Sequence, residues 1–252
     1  MAARNFAVSI SRVKEEDESY GEKANQLIKL QNAGFLIPQT FLITPNAYFE
    51  FIKANDLDKK ISHLLGVVDF EKVKSVQDIA SHIEKYLTKS EIPNHILKEI
   101  LYEYKNLGGL LGHAKANVFL SHVKNGLEVH KVTGDASLVD KIKNHWFSIY
   151  SPKSPKTNPT LVIQKIERGK NGKIKTSTKQ VQTFFNLNEE DIEALETLVS
   201  KFKKEFYFPH EIDFVINGNK VFVLKTTPET SLETRASFPE YHFSITRNSH
   251  NL

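Results

Sequence analysis

Residues 20–44 read YGEKANQLIKLQNAGFLIPQTFLIT, and this stretch decides how the chain begins to fold. The apolar spacing after Gly21 predicts a helix over residues 23–33, because residues three and four positions apart share one helix face. Gly34 predicts the end of this helix, since glycine readily adopts the left-handed conformation that closes many helices. The apolar run that follows predicts a strand over residues 35–44. The chain is therefore expected to pass from a helix directly into a sheet.

A second stretch, residues 211–230, reads EIDFVINGNKVFVLKTTPET and contains a hairpin signal. Its central Asn-Gly pair is favoured in tight turns, so we predict that residues 211–216 pair with residues 220–224. Successive side chains of a strand point to opposite faces, which places Glu211 and Asp213 on the same face. Two carboxylates on one face can reach a common hard cation such as Mg²⁺.

The remaining patterns predict an α+β chain, with helices first and antiparallel hairpins behind them. Apolar residues at helical spacing predict one helix that begins at Pro45 and others over residues 76–87, 93–107, 138–150 and 189–206. Alternating or apolar runs predict strands over residues 6–10, 118–123, 127–132 and 160–166. The sequence Lys170-Asn171-Gly172-Lys173 predicts a turn. We expect a helical and strand lobe at 1–110, β-rich lobes at 111–234 and a tail at 235–252.

The composition excludes several classes of site and of protein. The chain has no cysteine, which excludes disulfides, thiolate metal sites and cysteine catalysis. No apolar run approaches the roughly 20 residues that span a bilayer, and no signal-peptide core is visible. We therefore expect a cytoplasmic protein without membrane contact. The net charge of +4 permits an anionic ligand, but the basic stretches are not interleaved with aromatic residues, so nucleic acid is not an expected partner.

The two quoted stretches resemble the ATP-grasp nucleotide-binding domain that begins phosphoenolpyruvate synthase and pyruvate phosphate dikinase. That family has Gly-Gly-Lys-x-Ala-x-Leu and then Ala-Gly-x-x-Val-Pro, which this chain matches at Gly21, Lys23, Leu27, Gly34 and Pro38. The family's closing hairpin contains an acidic Asp-x-Glu pair, and this chain has the same charges in swapped order. The resemblance implies an ATP-grasp-like two-lobe domain that binds a nucleotide.

The resemblance also implies a set of site residues for ATP and Mg²⁺. Lys23 would contact phosphate, and Gln164 and Ile166 would lie on the strand that borders adenine. Lys225 would occupy a metal-side position, and Glu211 and Asp213 would be the metal ligands. Lys225 could contact phosphate in place of a metal charge. Equally, it could pair with Asp213 across the hairpin and fill the site.

Several departures from the family pattern affect the expected chemistry. Glu22 replaces the second glycine, Thr227 replaces a phosphate-binding arginine, and the strand that starts at Asn117 lacks a second arginine. Loss of a transition-state arginine commonly costs on the order of 10³-fold in rate. These changes favour a regulatory nucleotide-binding module, a pseudoenzyme with weak or no activity. One alternative is an active ATP-dependent phosphotransferase, a kinase subunit acting on the phosphohistidine domain of a separate partner protein. Another alternative is a scaffold that retains the fold without the ligand.

Overall fold

The computed structural model describes residues 5–69, 71–108, 115–120, 130–150, 159–229 and 245–246. These residues form the helices α1 (Glu22–Asn32), α2 (Pro45–Ala54), α3 (Leu57–Val67), α4 (Val73–Lys89), α5 (Asn94–Gly108), α6 (Asp135–Ser148) and α7 (Glu189–Glu205). They also form the strands β1 (Ala7–Ser9), β2 (Thr40–Ile43), β3 (Lys115–Leu120), β4 (His130–Thr133), β5 (Leu161–Lys165), β6 (Lys170–Lys175), β7 (Val181–Thr183), β8 (His210–Asn217), β9 (Lys220–Pro228) and β10 (Ile245–Thr246). The combination of helices with mainly antiparallel strands confirms the predicted α+β class.

Residue contacts divide the chain into two compact units. The first unit contains Met1–Ile28 and Gln39–Ile166, and the second contains Lys29–Pro38 and Glu167–Leu252. The division that we predicted, at residues 110 and 234, stays a prediction. Residues 109–114, where the first predicted boundary falls, and most of the expected tail lie outside the described residues.

The first unit is built on a five-stranded antiparallel sheet in the order β1-β2-β5-β3-β4. Alternate residues of the central strands, such as Phe41 in β2 and Ile163 in β5, join one hydrophobic core with residues of helices α2 to α6. The intervening residues Leu42, Val162 and Gln164 are also buried. The sequence of a strand that is buried on both faces is a continuous run of apolar residues. This explains why polar and apolar residues do not alternate in β2 and β5. Gln164 of β5 and its cross-strand partner Thr40 of β2 are polar exceptions in this sheet interior.

Trp146 of α6 lies at the centre of the helical core. Its ring stacks on Phe51 at a centroid distance of 5.1 Å and meets the edge of Tyr48 at 5.7 Å. Its indole Nε1 donates a hydrogen bond of 3.3 Å to the carbonyl oxygen of Pro159, so the polar end of the ring is satisfied. The Tyr48 hydroxyl bonds that of Tyr150, and burial raises the pKa of Tyr48, so the hydroxyl stays protonated.

The second unit contains a sheet in the order β10-β7-β6-β8-β9, in which only β10 and β7 run parallel. Helix α7 covers one face of this sheet with an apolar stripe that includes Leu195, Val199 and Phe202. On the same face, Lys170 Nζ lies 2.5 Å from Asp191 Oδ2. The opposite face is partly exposed and carries the charged side chains of β6, β8 and β9.

The start of α7 is closed by a capping box. Asn188 Oδ1 accepts a bond from the backbone N–H of Asp191 at 2.8 Å, and Asp191 Oδ2 accepts one from the backbone N–H of Asn188 at 2.9 Å. We expect Asn188→Ala to lower the free energy of unfolding by about 1 kcal/mol, because one backbone donor loses its partner. Urea unfolding followed by far-UV circular dichroism measures this loss. The exposed helical Asn106→Ala is the control and should be neutral or slightly stabilising; an equal loss in both variants would contradict the capping role.

Most predicted elements are confirmed, including the helices at 23–33 and 189–206 and the closing hairpin. The strand predicted over residues 35–44 is wrong in extent, because only Thr40–Ile43 forms β2. Helix α3 was not predicted. None of the helices formed by the described residues combines the length and the apolar character that crossing a lipid bilayer requires.

The turn predicted at residues 170–173 is wrong, because these residues lie inside β6. The Asn-Gly pair there indicates a close approach of neighbouring groups and not a reversal of the chain. A Cβ atom on Gly172 would lie 2.6 Å from the carbonyl oxygen of Gln182 and 2.8 Å from the ring of Phe214. Glycine is therefore required by packing across the sheet at this position.

Candidate functional site

Lys23 lies in the first turn of α1, immediately after Glu22. The Glu22 side chain is exposed, whereas Lys23 is half-buried. The backbone N–H groups at a helix start and the positive end of the helix dipole favour anions, and a lysine adds a mobile positive charge. The local structure therefore agrees with the type of position predicted for a phosphate contact. The role of Lys23 itself stays a prediction.

Gln164 lies near the end of β5, the central strand of the first sheet, and its neighbours across the strands are Thr40 of β2 and Asn117 of β3. Because cross-strand partners share a face, the Gln164 and Asn117 side chains lie side by side. Gln164 is only 3% exposed. Its Nε2 and the Oδ1 of Asn117 are buried, and neither has a hydrogen-bond partner among the described residues. The pair therefore presents one unsatisfied donor beside one unsatisfied acceptor.

Such a pair is energetically costly in the absence of a further partner. Leaving a buried polar group without a hydrogen bond costs roughly 1–3 kcal/mol, and native proteins contain few of these groups. Ile166 follows two residues after Gln164, is half-buried, and donates its backbone N–H to the carbonyl oxygen of Lys115 at 2.8 Å. The two residues predicted to border adenine thus lie at one end of β5, and one of them has free hydrogen-bonding capacity.

In the second unit, Glu211 and Asp213 lie on the partly exposed face of β8, as the alternation predicted. A lysine from the neighbouring strand β6 joins them: Lys173 Nζ lies 2.7 Å from Glu211 Oε1 and 3.5 Å from Asp213 Oδ1. The hydrogen bond to Glu211 raises the pKa of Lys173 despite partial burial, which opposes the rise. Both carboxylates are therefore paired with a residue that sequence reasoning had placed in a turn.

Lys225 of β9 stands directly opposite Asp213 on the other side of β8. Among the described residues, the ion pairs of Asp213 and Glu211 are made to Lys173 and not to Lys225. The two lysines therefore flank Asp213 in one cross-strand row of Lys173, Asp213 and Lys225. The alternation of Lys173 and Lys175 around the buried Ile174 was the signal that could have identified β6 as a strand.

A cavity of about 390 Å³ lies beside this row within the second unit. Its lining includes the charged residues Lys173 and Asp213 together with Gln182, Leu224 and the exposed ring of Phe184. A somewhat larger cavity of about 430 Å³ lies between residues 34–36, α7 and the β8–β9 turn. That larger cavity contains none of the predicted site residues, so its size does not identify a site.

The structure therefore places the predicted residues in two groups. Lys23, Gln164 and Ile166 belong to the first unit, and Glu211, Asp213 and Lys225 belong to the second. Within the second unit the two acids and the lysine share one face. That the two groups converge on a single cleft stays a prediction.

Comparison with known proteins supports the resemblance seen in the sequence. Residues 17–121 match the family model described as the pyruvate phosphate dikinase AMP/ATP-binding domain. A probable phosphoenolpyruvate synthase of Methanocaldococcus jannaschii is 29% identical over 98 residues, which cover 39% of this chain and 8% of the relative. Another, from Methanothermobacter thermautotrophicus, is 20% identical over 146 residues, covering 53% of this chain and 21% of the relative. The matched part of the chain thus spans a small fraction of these relatives, and the predicted resemblance is confirmed.

Several solved structures are similar at low sequence identity. A RimK domain protein ATP-grasp from Sphaerobacter thermophilus has a TM-score of 0.44 and 10% identity, with 86% of this chain and 61% of that chain covered. D-alanine–D-alanine ligase from Bacillus anthracis, complexed with ATP, has a TM-score of 0.43 and 11% identity, with 82% and 54% covered. C-terminally truncated Cdc123 from Schizosaccharomyces pombe has a TM-score of 0.42 and 14% identity, with 89% and 98% covered.

Proposed function

We propose that this chain is a nucleotide-binding module that recognises adenine through Gln164 and Asn117 and has little or no phosphotransferase activity. The observation that carries the proposal is the buried pair formed by Gln164 Nε2 and Asn117 Oδ1, which have no hydrogen-bond partner among the described residues. Adenine offers a ring-nitrogen acceptor beside an exocyclic amino donor, the complement of an amide donor beside a carbonyl acceptor. The match of residues 17–121 to an AMP/ATP-binding domain supports the same ligand.

The nucleotide's phosphates have a candidate partner in the same unit. Lys23 stands in the first turn of α1, where backbone N–H groups and the helix dipole favour an anion. Glu22 places a carboxylate beside it, and repulsion between that carboxylate and a polyphosphate should limit the affinity. We therefore expect ATP to bind in the micromolar to millimolar range and not more tightly.

Weak or absent catalysis is proposed because the residues for phosphate transfer are altered. Thr227 stands where the family pattern has an arginine, and the acids Glu211 and Asp213 are held by Lys173. Phosphoryl transfer depends almost entirely on positioned positive charge and metal ions. Without them the module would sense a nucleotide and would not consume it.

The affinity for ATP tests this proposal through Gln164. We expect Gln164→Met to weaken ATP binding about 10- to 100-fold, the equivalent of roughly 1–3 kcal/mol for a lost buried hydrogen bond. The same change should leave the melting temperature of the ligand-free protein unchanged or higher, because it removes an unsatisfied polar group from the sheet interior. Isothermal titration calorimetry gives the affinity and thermal unfolding gives the stability.

The matched control is Gln77→Met, the same substitution on the exposed surface of α4, which should change neither quantity. Unchanged ATP affinity in Gln164→Met would contradict the assignment of the base site. Absence of wild-type binding at millimolar ATP would favour the scaffold alternative. Equal affinity for ATP and CTP would argue against base recognition.

Incubation with γ-labelled ATP separates the module from the phosphotransferase alternative. We expect no transfer of label to a candidate phosphohistidine-domain protein and no release of phosphate above background. Transfer that disappears in Lys23→Ala would instead establish an active subunit with a separate partner.

A further inference from the structure

The acidic pair of the second sheet is arranged differently from a magnesium site. Lys173 Nζ contacts Glu211 Oε1 at 2.7 Å and Asp213 Oδ1 at 3.5 Å, so the ammonium group occupies the space in which a shared cation would bind. The three side chains are between one quarter and one half exposed, so the contact lies at a surface that solvent ions can reach.

With Lys173 between the two carboxylates, the residues around this pair do not fit a divalent ion. Mg²⁺ requires oxygen ligands in near-octahedral geometry and loses its waters reluctantly. Among the residues that the structure describes, no group of three or more histidine, cysteine or acidic side chains is placed to hold a metal ion. An incoming cation would first have to displace Lys173. It would then lie beside Lys225, which stands opposite Asp213 in the same cross-strand row.

Lysine is fully charged at neutral pH, since its ordinary pKa is about 10.4. Lys173 therefore supplies a permanent positive charge at the position where the carboxylates would otherwise attract an ion from solution. Its position is determined by the backbone, because Lys173 is the register partner of Asp213 in the β6–β8 ladder. The contact between this ammonium group and the acids therefore follows from the pairing of β6 with β8.

We propose that Lys173 takes the place of a divalent cation at Glu211 and Asp213 and closes this acidic pair to magnesium. A consequence that rests on the proposed nucleotide-binding function is that ATP binds with the same affinity whether Mg²⁺ is present or chelated. The positive charge at Glu211 and Asp213 is then the ammonium group of Lys173. The affinity for the nucleotide therefore does not depend on the concentration of free magnesium.

Binding of Mn²⁺ to the full chain without nucleotide tests the assignment directly. Electron paramagnetic resonance of free Mn²⁺ should show no stoichiometric binding to the wild type up to about 1 mM. Lys173→Met should bind one Mn²⁺ at least about tenfold more tightly than the wild type, since it removes the competing charge while keeping the length of the side chain. This gain should disappear in Lys173→Met/Asp213→Asn.

Lys204→Met is the matched control, because it removes the same charge from the exposed surface of α7 in the same unit and should leave Mn²⁺ binding at the wild-type level. Circular dichroism establishes that each variant is folded. Lys173→Gln also removes the charge but keeps a side chain that donates hydrogen bonds, so its Mn²⁺ affinity is compared with that of the wild type in the same way. Wild-type binding as tight as that of Lys173→Met, or absence of binding in both uncharged Lys173 variants, would overturn the proposal.

The nucleotide measurement separates this inference from the proposed function. Calorimetric titration with ATP in excess EDTA and in excess Mg²⁺ should give affinities within about twofold of each other for the wild type. An affinity that rises tenfold or more with Mg²⁺ would contradict the consequence that nucleotide binding is independent of magnesium. Failure to bind ATP in either solution, together with the expected Mn²⁺ results, would contradict the nucleotide-binding function and support the assignment of Lys173.

Discussion

We expect Trp146→Ala to lower the free energy of unfolding by about 3–5 kcal/mol, the range typical of deleting a large buried aromatic side chain. Trp146 is fully buried, stacks on Phe51 and packs against Tyr48, so the substitution leaves a cavity that α6 cannot easily fill. It also leaves the carbonyl oxygen of Pro159 without its indole donor. A domain of ordinary stability has only 5–15 kcal/mol in total, so the variant should be close to unfolding at 37 °C.

Urea unfolding followed by far-UV circular dichroism is the appropriate measurement, because the protein contains a single tryptophan and the variant loses its fluorescence signal. Trp146→Phe is the control. It retains much of the stacking on Phe51 and loses the hydrogen bond to Pro159, so we expect a smaller cost of about 1–3 kcal/mol. A loss below about 1 kcal/mol in Trp146→Ala would show that this residue does not lie at the centre of a packed core.

The second large effect is expected for Gly169→Ala at the start of the second unit. Gly169 has a φ of +155°, and a Cβ atom there would lie 1.9 Å from the carbonyl oxygen of Ile216 and 3.1 Å from Val215 Cγ1. The backbone strain and the overpacking each cost roughly 1–3 kcal/mol, so the combined loss should be about 4 kcal/mol. The affected contacts hold β6 against β8, which is the pairing that positions Lys173 beside the acids.

Gly218→Ala separates the two causes of that loss. Gly218 also has a positive φ, of +56°, but a Cβ atom there would meet nothing within 4 Å. We therefore expect a cost of only about 1–2 kcal/mol, from the backbone conformation alone. Thermal unfolding of both variants measures the difference. Equal losses would mean that the close approach to Ile216 is not what requires glycine at position 169.

The local elements of this protein could largely be predicted from the sequence. The helix after Gly21, the helix over residues 189–206 and the Asn-Gly hairpin all depend on neighbouring residues, and the structure contains each of them. The placement of Glu211 and Asp213 on one face follows from strand alternation alone. The resemblance that rests on the first of these stretches is confirmed by the match over residues 17–121, a range that does not include the closing hairpin.

The partners of these residues across the sheets could not be predicted in the same way. The same Asn-Gly signal that marks the closing turn also occurs at residues 171–172, where it lies inside β6 because Phe214 and Gln182 leave no room for a side chain. That error concealed the position of Lys173, and with it the ion pairs that this lysine makes with the two acids. Gln164 could be placed on a strand, but only the pairing of β5 with β3 brings it beside Asn117.

The sequence alone determined the α+β class, the order of most elements and the face on which the two acids lie, because these depend on residues close together in the chain. The tertiary structure alone decided which side chains meet across strands that are distant in the sequence. The pairing of β6 with β8 positions a lysine against the carboxylates, and the pairing of β3 with β5 leaves a buried amide donor and a carbonyl acceptor beside each other. Contacts between residues far apart in the chain depend on strand register, which the packing of each whole sheet determines and no single segment of sequence specifies.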